Sequence, residues 1–319
     1  MPATMSTVTV AIPTRNAGEG FEQTLGAIAG QRIESELLIC DSGSSDNTVN
    51  TARAYGASVI ELPPEEFSHG GTRNLLMERA AGDHVAFLTQ DAVPADELWL
   101  TRLLWGFSAA ADVGLVFGPY RPHPEASLMV TRELTQWFAS LSPNRAPRVD
   151  RLGPEERDLP VRALLGARGY FTDANGCVLR AAWEEVRFRP VAYAEDHVLA
   201  HDMLQAGFAK VFMPDAAVIH SHDYSALQWL RRSFDEARAL DGIYGFAEQR
   251  QLRRAVLNVW GLVGADLRFA RTRGAGPTWA VAARSLPHHL ARATGTVLGG
   301  HAGRLPDPVR RWLSLERQS

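Results

Sequence analysis

The sequence predicts an α/β fold, a mostly parallel sheet flanked by helices, with a helical C-terminal extension. Three observations carry this. Short apolar runs each stop at a cluster of Pro, Asp, Ser or Gly, the pattern of buried strands ending in turns. Stretches between those runs place apolar residues at helical spacing. Beyond Ala226 the short runs cease and only helical periodicity remains.

Val8 to Ile12 is β-branched and ends at Pro13, and Glu36 to Cys40 ends at Asp41 and a Ser/Gly cluster, so both read as strands. Between them Phe21, Leu25, Ile28 and Ala29 form the stripe of a first helix. A second cycle predicts a helix over Asp46 to Tyr55, a strand over Ser58 to Leu62, a helix over Gly71 to Ala80 and a strand over His84 to Leu88. Strands alternating with helices imply parallel pairing. Leu115 to Phe117 precedes a Pro- and Arg-rich section, Gly118 to Leu165, with a helix over Leu128 to Leu141 and an expected mobile loop from Ser142 to Leu159. A helix over Ala194 to Ala206 and strands at Lys210 to Met213 and Ala217 to His222 complete a domain of residues 1–225. Residues 226–319 form the helical region, with breaks near Gly274 to Pro277 and Gly299 to Pro308.

With 45% hydrophobic and 22% charged residues and a net charge of -3, the composition is globular and excludes disorder, collagen and coiled coil. No run of about 18 apolar residues is available to cross a bilayer, and Met1 to Ser6 lacks the character of a secretory signal, so a cytoplasmic location is expected. Cys40 and Cys177 are too few and too distant for a disulfide framework or a local metal knuckle. Residues 1–225 hold 18 basic against 29 acidic side chains, whereas the remainder holds 15 against 7. The basic region suits an anionic partner such as a membrane surface or a phosphate-bearing substrate; a solvated helical face explains it equally. The acidic first 225 residues argue against nucleic acid.

Ligands of such sheets gather outside the carboxyl ends of the strands, and three of those ends are polar here: Pro13-Thr14-Arg15-Asn16, Asp41-Ser42-Gly43-Ser44-Ser45-Asp46 and Thr89-Gln90-Asp91. Together with Val10-Ala11-Ile12 before the first, Cys40 to Thr48 reading CDSGSSDNT, and Ala194-Glu195-Asp196, they give a chain that resembles the family-two inverting glycosyltransferases of GT-A fold over residues 7–225. The segments Phe67 to Asn74 (FSHGGTRN), Leu88 to Pro94 and Val218 to Tyr224 resemble, more narrowly, bacterial rhamnosyltransferases that use dTDP-L-rhamnose.

The resemblance implies a nucleotide-sugar donor bound by Pro13, Thr14, Arg15, Asn16, Asp41, Ser42, His69, Gly70, Arg73, Asn74, Thr89, Gln90 and Asp91. By that likeness Asp41 binds the pyrimidine, although a carboxylate before a tight turn also suits an Asx turn. Asp46 reads as a helix cap. Asp91 falls where the family's DXD motif lies, but Thr89 and Gln90 replace its first two residues, so one acid alone would hold Mg²⁺ or Mn²⁺ thinly. His220 and His222, two apart on an expected strand, share a face, and either completes a metal set with Asp91; hydrogen bonding to backbone is the alternative. His69 to Asn74 combine glycines with a helix N-terminus, the ingredients of an anion site in which Arg73 meets phosphate and Asn74 orients the adjoining loop.

Glu195-Asp196 matches the family's ED motif at a helix start, where the dipole favours an ionised acid. Their side chains diverge by about 100°, and Asp196 is the expected proton acceptor with Glu195 its rival. Tyr170, Asp173 and Asn175 correspond to the acceptor-side wall. The implied reaction is a single displacement of L-rhamnose from dTDP-β-L-rhamnose onto a glycan or polyprenyl-diphosphate-linked acceptor. Trp229, Trp260, Trp279 and Trp312, interspersed with arginines, suit peripheral contact with a lipid interface. The competing readings are a transferase using UDP-Glc, UDP-GlcNAc or GDP-Man, and a noncatalytic nucleotide-sugar-binding or scaffold protein.

Overall fold

A computed structural model describes residues 7–159, 166–191, 193–244 and 252–315. Both predicted cycles form: β1 (Val8–Thr14), α1 (Phe21–Ala29), β2 (Glu36–Asp41), α2 (Thr48–Ala54), β3 (Ser58–Glu61), α3 (His69–Arg79) and β4 (His84–Leu88). Then come β5 (Val93–Pro94), α4 (Trp99–Gly106), β6 (Val113–Phe117), β7 (Tyr120–Arg121), α5 (Leu128–Leu141), β8 (Arg148–Asp150) and β9 (Asn175–Leu179). The chain continues through α6 (Arg180–Glu185), α7 (Glu195–Ala206), β10 (Ala209–Phe212) and β11 (Val218–Ile219). It closes with α8 (Ala226–Tyr244), α9 (Leu252–Arg273), α10 (Thr278–Gly299) and α11 (Asp307–Leu313).

The eight-stranded sheet runs β3-β2-β1-β4-β9-β6-β10-β8. The four strands from β3 to β4 pair in parallel, as do β6 and β10, while β9 runs antiparallel between β4 and β6. This is the GT-A-like arrangement the sequence predicts. Apolar residues cover both faces: Val10, Ile12, Trp99 and Val116 on one, Leu76, Phe87, Phe117 and Phe212 on the other. Cys40 and Cys177 are buried and unpaired, as expected.

Two expectations are corrected. The segment 142–159 is no open loop, because Arg148–Asp150 adds to the sheet edge antiparallel to β10. Lys210 of β10, 1% exposed at its side chain, bonds Asp150 Oδ2 at 3.1 Å and the carbonyls of Ala167 and Tyr170, tying this edge to the following turn. Residues 160–165 of the Pro- and Arg-rich section lie outside the described residues. The strand expected over Ala217 to His222 is only Val218–Ile219, so His220 and His222 lie past it and the shared-face reasoning does not apply.

The chain divides into two compact units, residues 1–123 with 134–221, and residues 124–133 with 222–319. In the second, Gly295 and Gly299 of α10 lie against backbone carbonyls of Leu230 and Phe234 on α8, where a Cβ would collide. Their four-residue spacing puts both on one helix face and lets the two backbones approach. No helix among the described residues is long and apolar enough to cross a membrane.

Candidate active site

The polar ends of β1, β2 and β4 are laced together. Asp41, 2% exposed, accepts hydrogen bonds from Thr14 Oγ1 at 3.0 Å, Ser44 Oγ at 2.5 Å and the backbone N–H groups of Gly43 and Ser44 at 3.1 and 2.8 Å. A carboxylate offers about four acceptor positions, so the turn's own donors occupy them. Ser42 donates through N–H and Oγ to the Thr14 carbonyl, locking β1 to β2 where both end. Asn16 takes a left-handed backbone (φ 46°), and its N–H reaches Ser44 Oγ while its Oδ1 accepts from Ser45 N–H. Gln90 exchanges two bonds with the Arg15 backbone, and its own carbonyl accepts from Thr24. The Arg15 side chain is left exposed at this rim. Asp46 accepts from the Thr48 N–H and hydroxyl at the start of α2, the role of a helix-starting acid.

Beyond Thr89 and Gln90, Asp91 is half-exposed, and its Oδ1 lies 3.5 Å from Nδ1 of His220, whose side chain is 12% exposed. His220 stays next to β11 through its N–H bond to the Arg121 carbonyl. The Tyr120 ring packs edge-on against the imidazole at 5.0 Å. The Tyr120 hydroxyl bonds Thr172 Oγ1, and burial, then the nearby Tyr170, raise that hydroxyl well above its usual pKa. His222 begins the second unit, exposed and stacked on Tyr224.

Asp173, next to Thr172, opens a buried cluster of acids around a single guanidinium. Arg73 of α3, 5% exposed at its side chain, pairs through Nε with Asp173 Oδ2 and through Nη1 with Glu195 Oε1 at 2.9 Å, and it also donates to the His69 carbonyl. His69 Nδ1 lies 3.9 Å from the same Glu195 oxygen. Glu195 is buried, whereas Asp196 stays partly exposed and accepts the His197 N–H at 2.8 Å. Burial raises the Asp173 carboxyl, with Glu195 adding to the shift and Arg73 opposing it, to about 7. Burial, then the Asp173 charge, likewise raises Asp196, and burial raises Glu195 against the pull of Arg73. One guanidinium among three carboxyls leaves protons to be shared. Ala194, immediately before this helix start, is held at φ 58°, a strained conformation for a residue with a Cβ and of the kind that concentrates at functional sites.

Several sequence-predicted ligands are turned inward. Asn175 is 0% exposed, accepts from Trp99 Nε1 at 2.8 Å and donates to the carbonyls of Pro119 and Ala216. It is a core lock between β9 and neighbouring strand ends, not a residue open to an acceptor. Asn74 holds both backbone groups of Phe188 and the Trp183 indole, which fixes the loop leading to α7. Gly70 is required because the Arg189 carbonyl occupies the place of its Cβ. Arg73 faces acids rather than solvent. Tyr170 packs edge-on to Phe117, Trp137, Phe138 and His197, at the centre of an aromatic cluster beside Asp196.

Tyr120 is the residue that sequence reading missed, although its place just after the β6 strand end would have pointed to it. Through it the contacts run unbroken from Asp91 and His220 to Thr172, Asp173, Arg73, Glu195 and Asp196. The two acids therefore belong to one connected region of the first unit.

Known proteins resemble this chain in sequence and fold. The profile of Glycosyl transferase family 2 matches residues 9–154, spanning the β1, β2 and β4 ends. Over 317 residues the chain is 29% identical to the O-antigen chain rhamnosyltransferase RfbN of Salmonella typhimurium, covering 97% of this chain and 94% of that one. The chain is a glycosyltransferase, and residues 9–154 are the part of it that matches family 2. This glycosyltransferase is also 29% identical to the O-antigen chain rhamnosyltransferase WbaN of Salmonella anatum, over 98% of its own length and 95% of the relative. In fold it is similar to a mannosyltransferase from Pyrobaculum calidifontis solved with GDP-Man and Mn²⁺, with a TM-score of 0.57, 17% identity and 93% and 88% of the two chains covered. It is similar also to S. aureus TarS 1–349 solved with UDP-GlcNAc, with a TM-score of 0.51, 12% identity and coverage of 93% and 91%.

Proposed function

We propose that this glycosyltransferase moves L-rhamnose, with inversion, from dTDP-β-L-rhamnose to a hydroxyl of a glycan or polyprenyl-diphosphate-linked glycan during assembly of a cell-surface polysaccharide. The observation that carries the reading is the end-to-end likeness to two proteins named as O-antigen chain rhamnosyltransferases. A lipid-linked acceptor is favoured by an E. coli glucosyltransferase, named for a diphosphoundecaprenol acceptor, that is 31% identical over 100 residues, 30% of this chain.

Asp196 is the proposed general base. Its carboxylate takes the proton of the acceptor hydroxyl as that oxygen bonds to the anomeric carbon and the bond from carbon to diphosphate oxygen breaks. Glu195, held by Arg73, cannot turn to the same point, and Asp173 holds Arg73 in turn. These buried groups position the base and set its proton affinity rather than touch the sugar. The braced ends of β1, β2 and β4 form the donor side. Asp41 shapes the turn there, leaving Thr14, Arg15 and Asn16 to line the nucleotide. Trp260, Trp279 and Trp312, all exposed, are proposed to touch a lipid surface, whereas Trp229 packs against His288 and Arg292.

The carboxylate oxygen of Asp91 suits Mn²⁺ or Mg²⁺, and the imidazole nitrogen of His220 beside it favours Mn²⁺ of the two. Bound there, the cation would offset charge on the departing diphosphate.

Incubation with a panel of dTDP-rhamnose, UDP-Glc, UDP-GlcNAc and GDP-Man, with and without Mn²⁺, tests the reading through the nucleoside diphosphate released. Release of dTDP well above the others is expected. Dominant UDP or GDP release would overturn the rhamnosyl assignment, and no turnover with any donor and acceptor would favour a binding protein.

A further inference from the structure

A second cluster of metal-ligating groups lies wholly within the helical unit, apart from the residues discussed above. Glu133 of α5 meets His288 and His289 of α10, directly after Pro287, which lies inside that helix. His288 Nε2 lies 3.8 Å and His289 Nδ1 3.7 Å from the same oxygen, Glu133 Oε1. The histidine side chains are 6% and 1% exposed and that of Glu133 24%. All three donor atoms fall within 4.8 Å of one another.

The far side of His289 fixes which nitrogen carries its proton. His289 Nε2 lies 2.8 Å from Asp266 Oδ2, which also accepts from Ser285 Oγ at 2.5 Å, while Asp266 Oδ1 pairs with Arg132 Nε. An ionised carboxylate only accepts, so Nε2 bears a hydrogen towards Asp266, and Nδ1 is the nitrogen that faces Glu133. Neither His288 Nε2 nor His289 Nδ1 makes a hydrogen bond, and a separation of 3.7 Å is too long for an N–H···O bond, which needs about 2.7–3.2 Å.

Donors bound to one tetrahedral zinc at about 2.0–2.1 Å are separated by about 3.3–3.5 Å, close to the spacing seen here. We infer that Glu133, His288 and His289 form a divalent-cation site of the zinc type, with Asp266 orienting His289 from behind. A carboxylate on the rear nitrogen is the support that metal-bound histidines ordinarily have. Arg292 takes the other Glu133 oxygen, and Arg132 Nη2 lies 3.5 Å from Oε1. These arginines balance the two carboxylates, so the site holds its cation mainly through imidazole nitrogens and selects a metal that prefers them over Mg²⁺.

The test uses full-length protein carrying Asp91→Asn and His220→Ala, which removes the other candidate donors. After loading with Zn²⁺ and passage through metal-free buffer, elemental analysis is expected to find about one zinc per chain. Co²⁺ should give the visible absorption of a tetrahedral nitrogen and oxygen site, and a chelator should lower Tm by several degrees. Adding His288→Ala or His289→Ala should abolish retention and the Tm response with the circular dichroism unchanged. Less than a tenth of an equivalent of zinc, with no cobalt spectrum and no chelator response, would overturn the inference without recourse to the histidine variants. So would retention that survives both histidine substitutions.

Discussion

Asp196 differs from Glu195 by a single position, yet the two have separate environments. Glu195 is bound to Arg73, while Asp196 stays partly open and feels Asp173 as an unfavourable charge. A base whose pKa is raised must lose its proton before it can accept another. Transfer rate should therefore climb with pH along a limb displaced above the ordinary carboxylate range. Asp173→Asn removes the like charge and is expected to move that limb to lower pH; an unmoved limb in kcat against pH would contradict the coupling. Stability carries the opposite sign. The folded chain keeps a proton on Asp173 up to about 7, whereas the unfolded chain gives it up near the ordinary value of 3.8. Any stabilisation from that proton is complete below the lower value and is lost as pH rises through the higher one. Thermal melts should show this decline in the parent and a flatter profile in Asp173→Asn.

At the scale of elements, β9 explains why the site holds together. Asn175 at its start spends three hydrogen bonds on Trp99, Pro119 and Ala216 with no exposure. Asn175→Ala strands those buried partners and should cost about 3 kcal/mol in denaturant unfolding; a loss within about 0.5 kcal/mol, the usual surface range, would show that it is not the lock described. The alternating strands and helices up to His84–Leu88 were legible because apolar period and turn chemistry agree there. β8 was not, since Arg148-Val149-Asp150 is two-thirds charged and becomes a strand only by pairing with β10. Asn175 was placed on the acceptor-side wall by family resemblance, and its burial is visible only once Trp99 and the strand ends close around it. The same blindness to burial made Arg73 look like a phosphate ligand. Asp91, Glu195 and Asp196 are proposed from their motif positions, and Tyr120, though it follows a strand end, belongs to no such motif and is found through its tertiary neighbours.

The whole molecule divides its charge, with an acidic first part and a basic helical region. On the helical unit Trp260 is 62% and Trp279 75% exposed, a cost that a soluble surface gains nothing from and a lipid interface would recover. Flotation with vesicles containing anionic lipid should carry the protein upward, and Trp260→Ser with Trp279→Ser should reduce the bound fraction several-fold without changing turnover of a soluble acceptor. Equal flotation of parent and variant would remove these residues from the interface. The account as a whole stands on the acid at the start of α7 being the group that takes the acceptor proton. Turnover by Asp196→Asn, measured beside the binding of dTDP-rhamnose by calorimetry, tests this most directly. The expected result is a kcat lower by about 10²–10⁴ with donor affinity within about threefold; a variant that transfers sugar at the parent rate would contradict it.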